Sequence, residues 1–465
     1  MEDQLSESES RRQAAGGLDR VNPLAAGVLK RNGIKSWTKP APTLYPHQWS
    51  WDSAFIALGL AHIDNRRARE EMESLFAGQW ATGKVPHIVF NPEAPPKSYF
   101  PDAERWNSSA LSADAPSGAS PSTSGLCQPP VHAITVRRIW ETSRGREEER
   151  VERARGFLKA NYPRLFAWHR YLATARDPEG SGLVTIYHPW ESGTDNSPRW
   201  DPALEAVEIG QIPPYTRYDL KHVADPSHRP TDEEYDRYLW LLELLKRERY
   251  DEAEIYESHP FLMKDVLFSA ILVAANEALL EIAGVVEAPE EDLALIEGWI
   301  GRGRGALEKQ FDEDLGLCLD YDLRADKPAR VRTIAGFAPL IAGGLTQERL
   351  KDLIDTLDSP AFAGNERLQR PLPPSTSPYE RAFHPRSYWR GPVWPVANWL
   401  LWWSLIRAGD TARAAHIRRE TIGQVAEGGF AEYFEPFTGE PLGSHEQSWT
   451  AAVALDMLAV ESRSA

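Results

Sequence analysis

The chain has 465 residues, 42% of them hydrophobic and 26% charged, and a formal net charge of −16 from 68 acidic and 52 basic residues. That is enough apolar material for a large core, and the acidic balance speaks against nucleic acid or an anionic membrane surface as the main partner. Only two cysteines occur, Cys127 and Cys318, far apart and without metal-ligand spacing, so no disulfide framework is expected.

Residues 1–20 are polar and read as a disordered tail. No basic segment followed by an apolar run marks a signal peptide, and no stretch of about 20 apolar residues marks a membrane span. The cytoplasm is therefore the expected location. Beyond the tail, apolar residues at helical spacing predict helices over Ser53–His62, Val131–Thr142, Val151–Ala175, Glu233–Lys246, Met263–Ile282, Glu290–Gln310, Leu345–Leu357, Trp394–Ala408, Thr411–Glu427 and Trp449–Val460. Short strands are expected at Val85–Phe90 and Leu183–Tyr187. Strands do not alternate with helices, and no glycine-rich phosphate loop follows a strand, which disfavours a parallel α/β sheet. The segment 107–125 is rich in Ser, Ala, Gly and Pro and reads as a mobile loop inside one domain, 21–465, because helical patterns continue on both sides. A stacked solenoid would show a repeat period, and none is visible. An all-α barrel of paired helices, with long loops forming a pocket at one end, fits the pattern.

Four of those loops share one composition. They are Tyr45-Pro46-His47-Gln48-Trp49-Ser50-Trp51-Asp52; Trp190-Glu191-Ser192-Gly193-Thr194-Asp195-Asn196-Ser197-Pro198-Arg199-Trp200-Asp201; Tyr388-Trp389-Arg390-Gly391-Pro392-Val393-Trp394-Pro395; and Phe430-Ala431-Glu432-Tyr433-Phe434-Glu435-Pro436 with Gln447-Ser448-Trp449-Thr450. Each mixes Trp or Tyr with a charged or amide group ahead of a helix. Aromatic faces cover the CH surfaces of a pyranose, and paired carboxylates supply acid and base for glycoside cleavage. The second segment could also be a surface loop built on an Asx-turn at Asp195-Asn196, but four such segments together suit one pocket better.

These motifs resemble glycoside hydrolase family 63 and its relatives among the trehalases and α-glucosidases. Within that family they are most similar to the bacterial glucosylglycerate and mannosylglycerate hydrolases, from about Tyr45 to Leu458. The resemblance implies an (α/α)6 barrel, hydrolysis with inversion at the anomeric carbon, and chemistry that needs neither metal nor cofactor. It places the general acid at Asp195 and the general base at Glu432, with Glu435 and Glu446 as rivals from the same loop. Walls formed by Trp190 and Trp200 would raise the Asp195 pKa by desolvation, and an inverting pair should stand about 6.5–9.5 Å apart. The resemblance also implies a sugar-hydroxyl acceptor at Asp52, which would in any case complement a helix N-terminus. It implies glycerate contacts at Tyr45, Arg229, Tyr235, Tyr388 and Gln447, with Gln128 near the sugar and Gly193 within the binding run. An arginine fork suits the glycerate carboxylate; the alternative for Arg229 is a solvated loop residue. Trp49, Trp51, Trp190, Trp389 and Trp394 are candidate sugar platforms, some of them core. His87 is either a pocket hydrogen-bonder or a satisfied core histidine.

The reading is an inverting hydrolase of 2-O-glucosylglycerate, with 2-O-mannosylglycerate as a second substrate. It would release hexose and glycerate and so recycle a compatible solute. The expected partner is that small molecule, and assembly into a homo-oligomer stays open. One alternative is a trehalase-like α-glucosidase acting on a neutral disaccharide, which gives no reason for a cation at Arg229 beside Tyr235. The other is a sugar-binding helical barrel without turnover, which would need no Asp195–Glu432 pair.

Overall fold

The most apolar helices of the chain close into a ring. In the computed structural model, which describes residues 20–218, 220, 225–226 and 229–461, the helices Ser50–Ile63, His132–Ser143, Val266–Val286, Ala338–Ala342, Pro395–Ala408 and Ser448–Glu461 each pack against the next, and the last packs against the first. A more polar helix precedes each of them: 20–32, Asn65–Phe76, Glu148–Thr174, Glu290–Lys309, Gln347–Leu357 and Thr411–Gly428. These form the outer layer, and the whole is an (α/α)6 barrel. The expected tail, 1–20, lies outside the described residues except for its last position.

Composition sorts the layers. Ser50–Ile63 is buried without a break from Ser50 to Ala61, as a helix apolar on all sides must be. Asn65–Phe76 buries Ala68, Met72, Leu75 and Phe76 on one stripe and turns Arg66 and Glu70 outward. Val266–Val286 is long and apolar enough by composition to cross a membrane, contrary to the expectation of no such stretch, yet it is an inner helix of the barrel and mostly buried. Its start is set by Asp265, whose carboxylate accepts from the backbone N–H groups of Leu267 and Phe268.

Boundaries moved where local geometry overrode periodicity. Met263–Lys264, expected as the first turn of that helix, is a strand between Thr185–Ile186 and Tyr321–Asp322 in a four-stranded antiparallel sheet. The strand expected over Val85–Phe90 shortens to Ile88–Val89, where it pairs with Gln48–Trp49. Several helices went unread: 20–32, Asn65–Phe76, Glu252–Ser258, Ala338–Ala342 and the short Ala103–Trp106, Ser108–Leu111 and Asp201–Glu205. In Asn65–Phe76 and Glu252–Ser258 charge hides a narrow apolar stripe, and the others are short or broken by Pro and Gly. The segment 107–125 contains one helical turn, Ser108–Leu111, and its end is tied down: Phe90 N donates to Ser122 O, Ser124 N donates to Ile88 O, and Thr123 bridges to Val89.

The inner helices present their N-termini to one end of the barrel. The four aromatic loops precede the inner helices that start at Ser50, Val266, Pro395 and Ser448, so they meet at that end. The long connection between Thr174 and Val266 adds the helix Asp232–Arg247, which starts with a capping box between Thr231 and Glu234 and faces Tyr235 and Tyr238 to the same cavity.

Candidate active site

Asp52, Asp195 and Glu432 line one cavity with Tyr45, Trp49, Trp51, His87, Gln128, Trp190, Gly193, Arg229, Tyr235, Tyr388 and Gln447. Twelve of the binding positions expected from the sequence therefore lie on its wall, beside both expected catalytic carboxyls.

The Asp195 loop is anchored from below. Gly193 sits at φ +70, and a Cβ there would fall 2.7 Å from the Trp51 ring, so only glycine lets this loop press onto that indole. Arg199 Nη2 donates to Thr194 Oγ1 at 2.7 Å, and Trp200 Nε1 donates to Thr194 O at 3.3 Å. Asn196 Oδ1 accepts from Trp389 N at 2.8 Å, and Asp201 holds Arg390 through a bidentate pair at 2.8 and 2.6 Å. The loop is thus latched to the Tyr388 loop. Of the three carboxylates that open the run — Glu191, Asp195 and Asp201 — only Asp195 lines the cavity.

Glu191 lies behind the wall. It accepts from Arg176 Nη1 and Nη2 at 2.8 Å each, from Tyr187 N at 2.7 Å and from Cys127 N at 3.1 Å. Burial opposes its charge, but the Arg176 guanidinium and the two backbone N–H groups prevail and pull its pKa down to about 2. This carboxylate joins the Gln128 segment to the Trp190 turn.

The charge states in the cavity follow from desolvation. Burial pushes the Asp195 carboxyl up to about 7; Arg229 draws it down, and Glu432 pushes it up again. Burial also raises Asp52 well above the usual carboxylate range, with Glu432 and then Asp195 adding to the effect. His87 is held neutral, near 3, by burial, and its Nδ1 lies 2.8 Å from Ser124 Oγ. Gln128 Oε1 accepts from Trp51 N at 3.3 Å.

Glu432 sits at the start of a small hairpin, Tyr433–Phe434 with Pro441–Leu442. Its Oε2 accepts from Ser444 N at 2.9 Å. Its Oε1 accepts from Tyr45 Oη at 2.8 Å and Tyr388 Oη at 3.3 Å. Gly443, at φ +72, makes room: a Cβ there would lie 2.5 Å from Glu432 Oε2. The rivals are otherwise engaged. Glu435 accepts from the backbone of Phe437 and Thr438 in its own turn, and Glu446 is exposed and paired with Arg31 at 2.5 Å.

Arg229 is half-buried, with Nε and Nη2 shielded from solvent and its guanidinium 4.8 Å over the Tyr388 ring. Its Nε and Nη2 find no hydrogen-bond partner among the described residues. Tyr235 Oη donates to Phe100 O at 3.2 Å.

Trp389 is corrected. It stacks on Trp394 with ring centroids 3.8 Å apart and planes 2° from parallel, and neither lines the cavity. Both belong to the core at the mouth of the helix Pro395–Ala408, where Trp394 Nε1 donates to Tyr388 O at 3.2 Å. Trp200 also lies beneath the cavity rather than on its wall, edge-on to Phe261. Residues that sequence reasoning missed include Ser98, Tyr99, Phe100, Tyr238 and Trp449. Tyr238 stands three residues after Tyr235 on one helix face, and Trp449 lies inside the Gln447–Thr450 run, so both carried a signal. The 98–100 stretch carried none. No described residue of 107–125 lines the cavity.

A helical barrel whose loops bring Asp195 and Glu432 into one aromatic pocket fits a glycoside hydrolase. The chain belongs to the family described as mannosylglycerate hydrolase MGH1-like glycoside hydrolase domain, whose family model matches residues 45–450. It is 46% identical to a glucosylglycerate hydrolase from Mycolicibacterium hassiacum, over 93% of this chain and 96% of that protein. It is 43% identical to a mannosylglycerate hydrolase from Thermus thermophilus, over 93% and 99%. The crystal structure of a GH63 mannosylglycerate hydrolase from Thermus thermophilus, in complex with Tris and D-glycerate, superposes with a TM-score of 0.85 at 42% identity, covering 94% of this chain and 99% of that one. The family resemblance read from the motifs is borne out.

Proposed function

We propose that this enzyme hydrolyses 2-O-glucosylglycerate, and 2-O-mannosylglycerate as a second substrate, with inversion at the anomeric carbon. The observation that carries the reading is Arg229: a guanidinium with Nε and Nη2 shielded from solvent and unpartnered among the described residues, in the same cavity as Asp195 and Glu432. A cation whose shielded donors are short of acceptors is costly unless an anion completes it. A glycerate carboxylate does so, and a neutral disaccharide does not.

In this reading Asp195, protonated by virtue of its burial, gives its proton to the glycosidic oxygen as the bond to C1 breaks. Glu432 takes a proton from a water that attacks C1 from the opposite face. Trp49, Trp51 and Trp190 cover the faces of the hexose, while Asp52, His87 and Gln128 meet its hydroxyls. Tyr45, Tyr235, Tyr388 and Gln447 surround the glycerate beside Arg229. Such charged glycosides suit the role of stored compatible solutes, and we place the reaction in the cytoplasm, returning hexose and glycerate to metabolism.

Purified protein given glucosylglycerate, mannosylglycerate and trehalose in parallel tests the substrate. Release of hexose from trehalose, with the two glycerates untouched, would sink the proposal. Proton NMR of the first-formed sugar tests the stereochemistry: an α-linked substrate must give the β-anomer, and an initial α-anomer would mean a nucleophilic carboxylate instead.

A further inference from the structure

Each tyrosine beside Glu432 has a single proton to donate. In the structure both donate it to the same oxygen, Glu432 Oε1, from 2.8 Å for Tyr45 and 3.3 Å for Tyr388, and the two hydroxyls stand 3.4 Å apart. The other oxygen, Oε2, is held by the backbone N–H of Ser444. A carboxylate oxygen has two lone pairs, so the two hydroxyl donors fill those of Oε1 and leave a water only the second lone pair of Oε2, beside Ser444 N.

Arg229 stands next to both donors. Its guanidinium lies over the Tyr388 ring, and its positive charge acts on the Tyr45 hydroxyl. An anion seated on Nε and Nη2 therefore comes within reach of the same two hydroxyls that hold Glu432. Burial keeps both phenols protonated, so they can only re-aim their protons, not lose them.

We propose that Tyr45 and Tyr388 couple the charge of the aglycone to the general base: a carboxylate bound at Arg229 draws their hydroxyl protons away from Glu432 and frees Oε1 to take a proton from the attacking water. This rests on the glycerate-glycoside reading and adds that selectivity is exercised in the rate of the chemical step, not only in binding. The atoms balance simply. One water O–H proton goes to Glu432 Oε1, the water oxygen bonds to C1, and the leaving group departs with its electron pair. The tyrosines change acceptors and keep their protons.

α-Glucosyl fluoride isolates the effect. Fluoride departs with little help from an acid and leaves the glycerate side of the cavity open to an added anion. D-glycerate should then accelerate fluoride release by about tenfold, the scale of one hydrogen bond to a charged group. The acceleration should saturate over the range in which D-glycerate inhibits glucosylglycerate cleavage. The double variant Tyr45→Phe, Tyr388→Phe should release fluoride faster than wild type without glycerate and should not respond to it. If glycerate slows or leaves unchanged fluoride release by the wild type while glucosylglycerate is cleaved normally, the coupling is wrong and the substrate reading stands. Acceleration that persists in the double variant removes the tyrosines from the effect. Failure to cleave glucosylglycerate, with no inhibition by glycerate, overturns the underlying reading instead. The wild-type arm decides by itself should the double variant not fold.

Discussion

Burial governs the charge of Asp195, and in the proposed mechanism that charge sets the working pH. An acid with a pKa of about 7 is loaded below neutrality and empties above it, so kcat/KM should fall as pH rises through about 7. Asp195→Asn should lower kcat by about 10²–10⁴-fold, and a variant keeping more than a tenth of wild-type kcat would refute the acid role. The same burial has a stability consequence. The ordinary value is 3.8, so between there and 7 the unfolded chain loses its proton first and rising pH weakens the fold. The Asn variant has no such group and should gain Tm over wild type, by more at pH 8 than at pH 5. Equal gains at both pH values would mean that ionisation of Asp195 is not the cause. In the proposed reading Arg229 acts on the other end of the substrate. A charge-assisted contact is worth roughly 1.5–3 kcal/mol, so Arg229→Ala should lower kcat/KM for glucosylglycerate by ~10–150-fold and barely touch a neutral aryl glucoside. Equal losses on both substrates would make Arg229 a loop support. At this scale the sequence was most legible where a residue sat in a dense motif, as Asp195 and Glu432 do. It was least legible for tryptophans, because an indole before an apolar helix looks the same whether it faces a sugar or a neighbouring indole.

Loops position these residues, and buried ion pairs position the loops. Glu191 ties the end of the Gln128 segment to the Trp190 turn through Cys127 N and Tyr187 N, with Arg176 behind it. Breaking one partner of such a pair leaves the other charge stranded in the interior, at a cost of roughly 3–5 kcal/mol. Glu191→Gln should therefore lower Tm sharply and reduce activity with it. A variant that melts like wild type would show that the pair is relaxed by water. The sequence marked Glu191 only as one carboxylate of three in a run. Its opposition to Arg176 depends on a turn closing over 15 positions, which periodicity does not encode. Helices were legible where the apolar surface was broad, as in Pro395–Ala408, and illegible where four apolar side chains sat among charges, as in Asn65–Phe76.

The whole molecule is a ring that one end closes. Segments 40–45 and 98–100 cover the cavity, whereas 122–126 is already hydrogen-bonded to the strand Ile88–Val89 and its flanks. Amide exchange at saturating glycerate should slow at 40–45 and 98–100 and change little at 122–126, because a segment with few bonds of its own gains most from a ligand. Unchanged exchange at 40–45 would retire the idea of a closing cover. The chain by itself determined the helical periods, the apolar inner and polar outer helices, and the motifs that carry the family; these are local properties, set by side-chain order within about ten to twenty residues. Tertiary structure alone decided that Tyr45 meets Glu432 across 387 positions, that Trp389 turns into the core, and that Arg229 has two nitrogens without a partner among the described residues. Those outcomes depend on which faces of distant loops come together when the ring closes, and a pattern of neighbours along the chain carries no record of that closure.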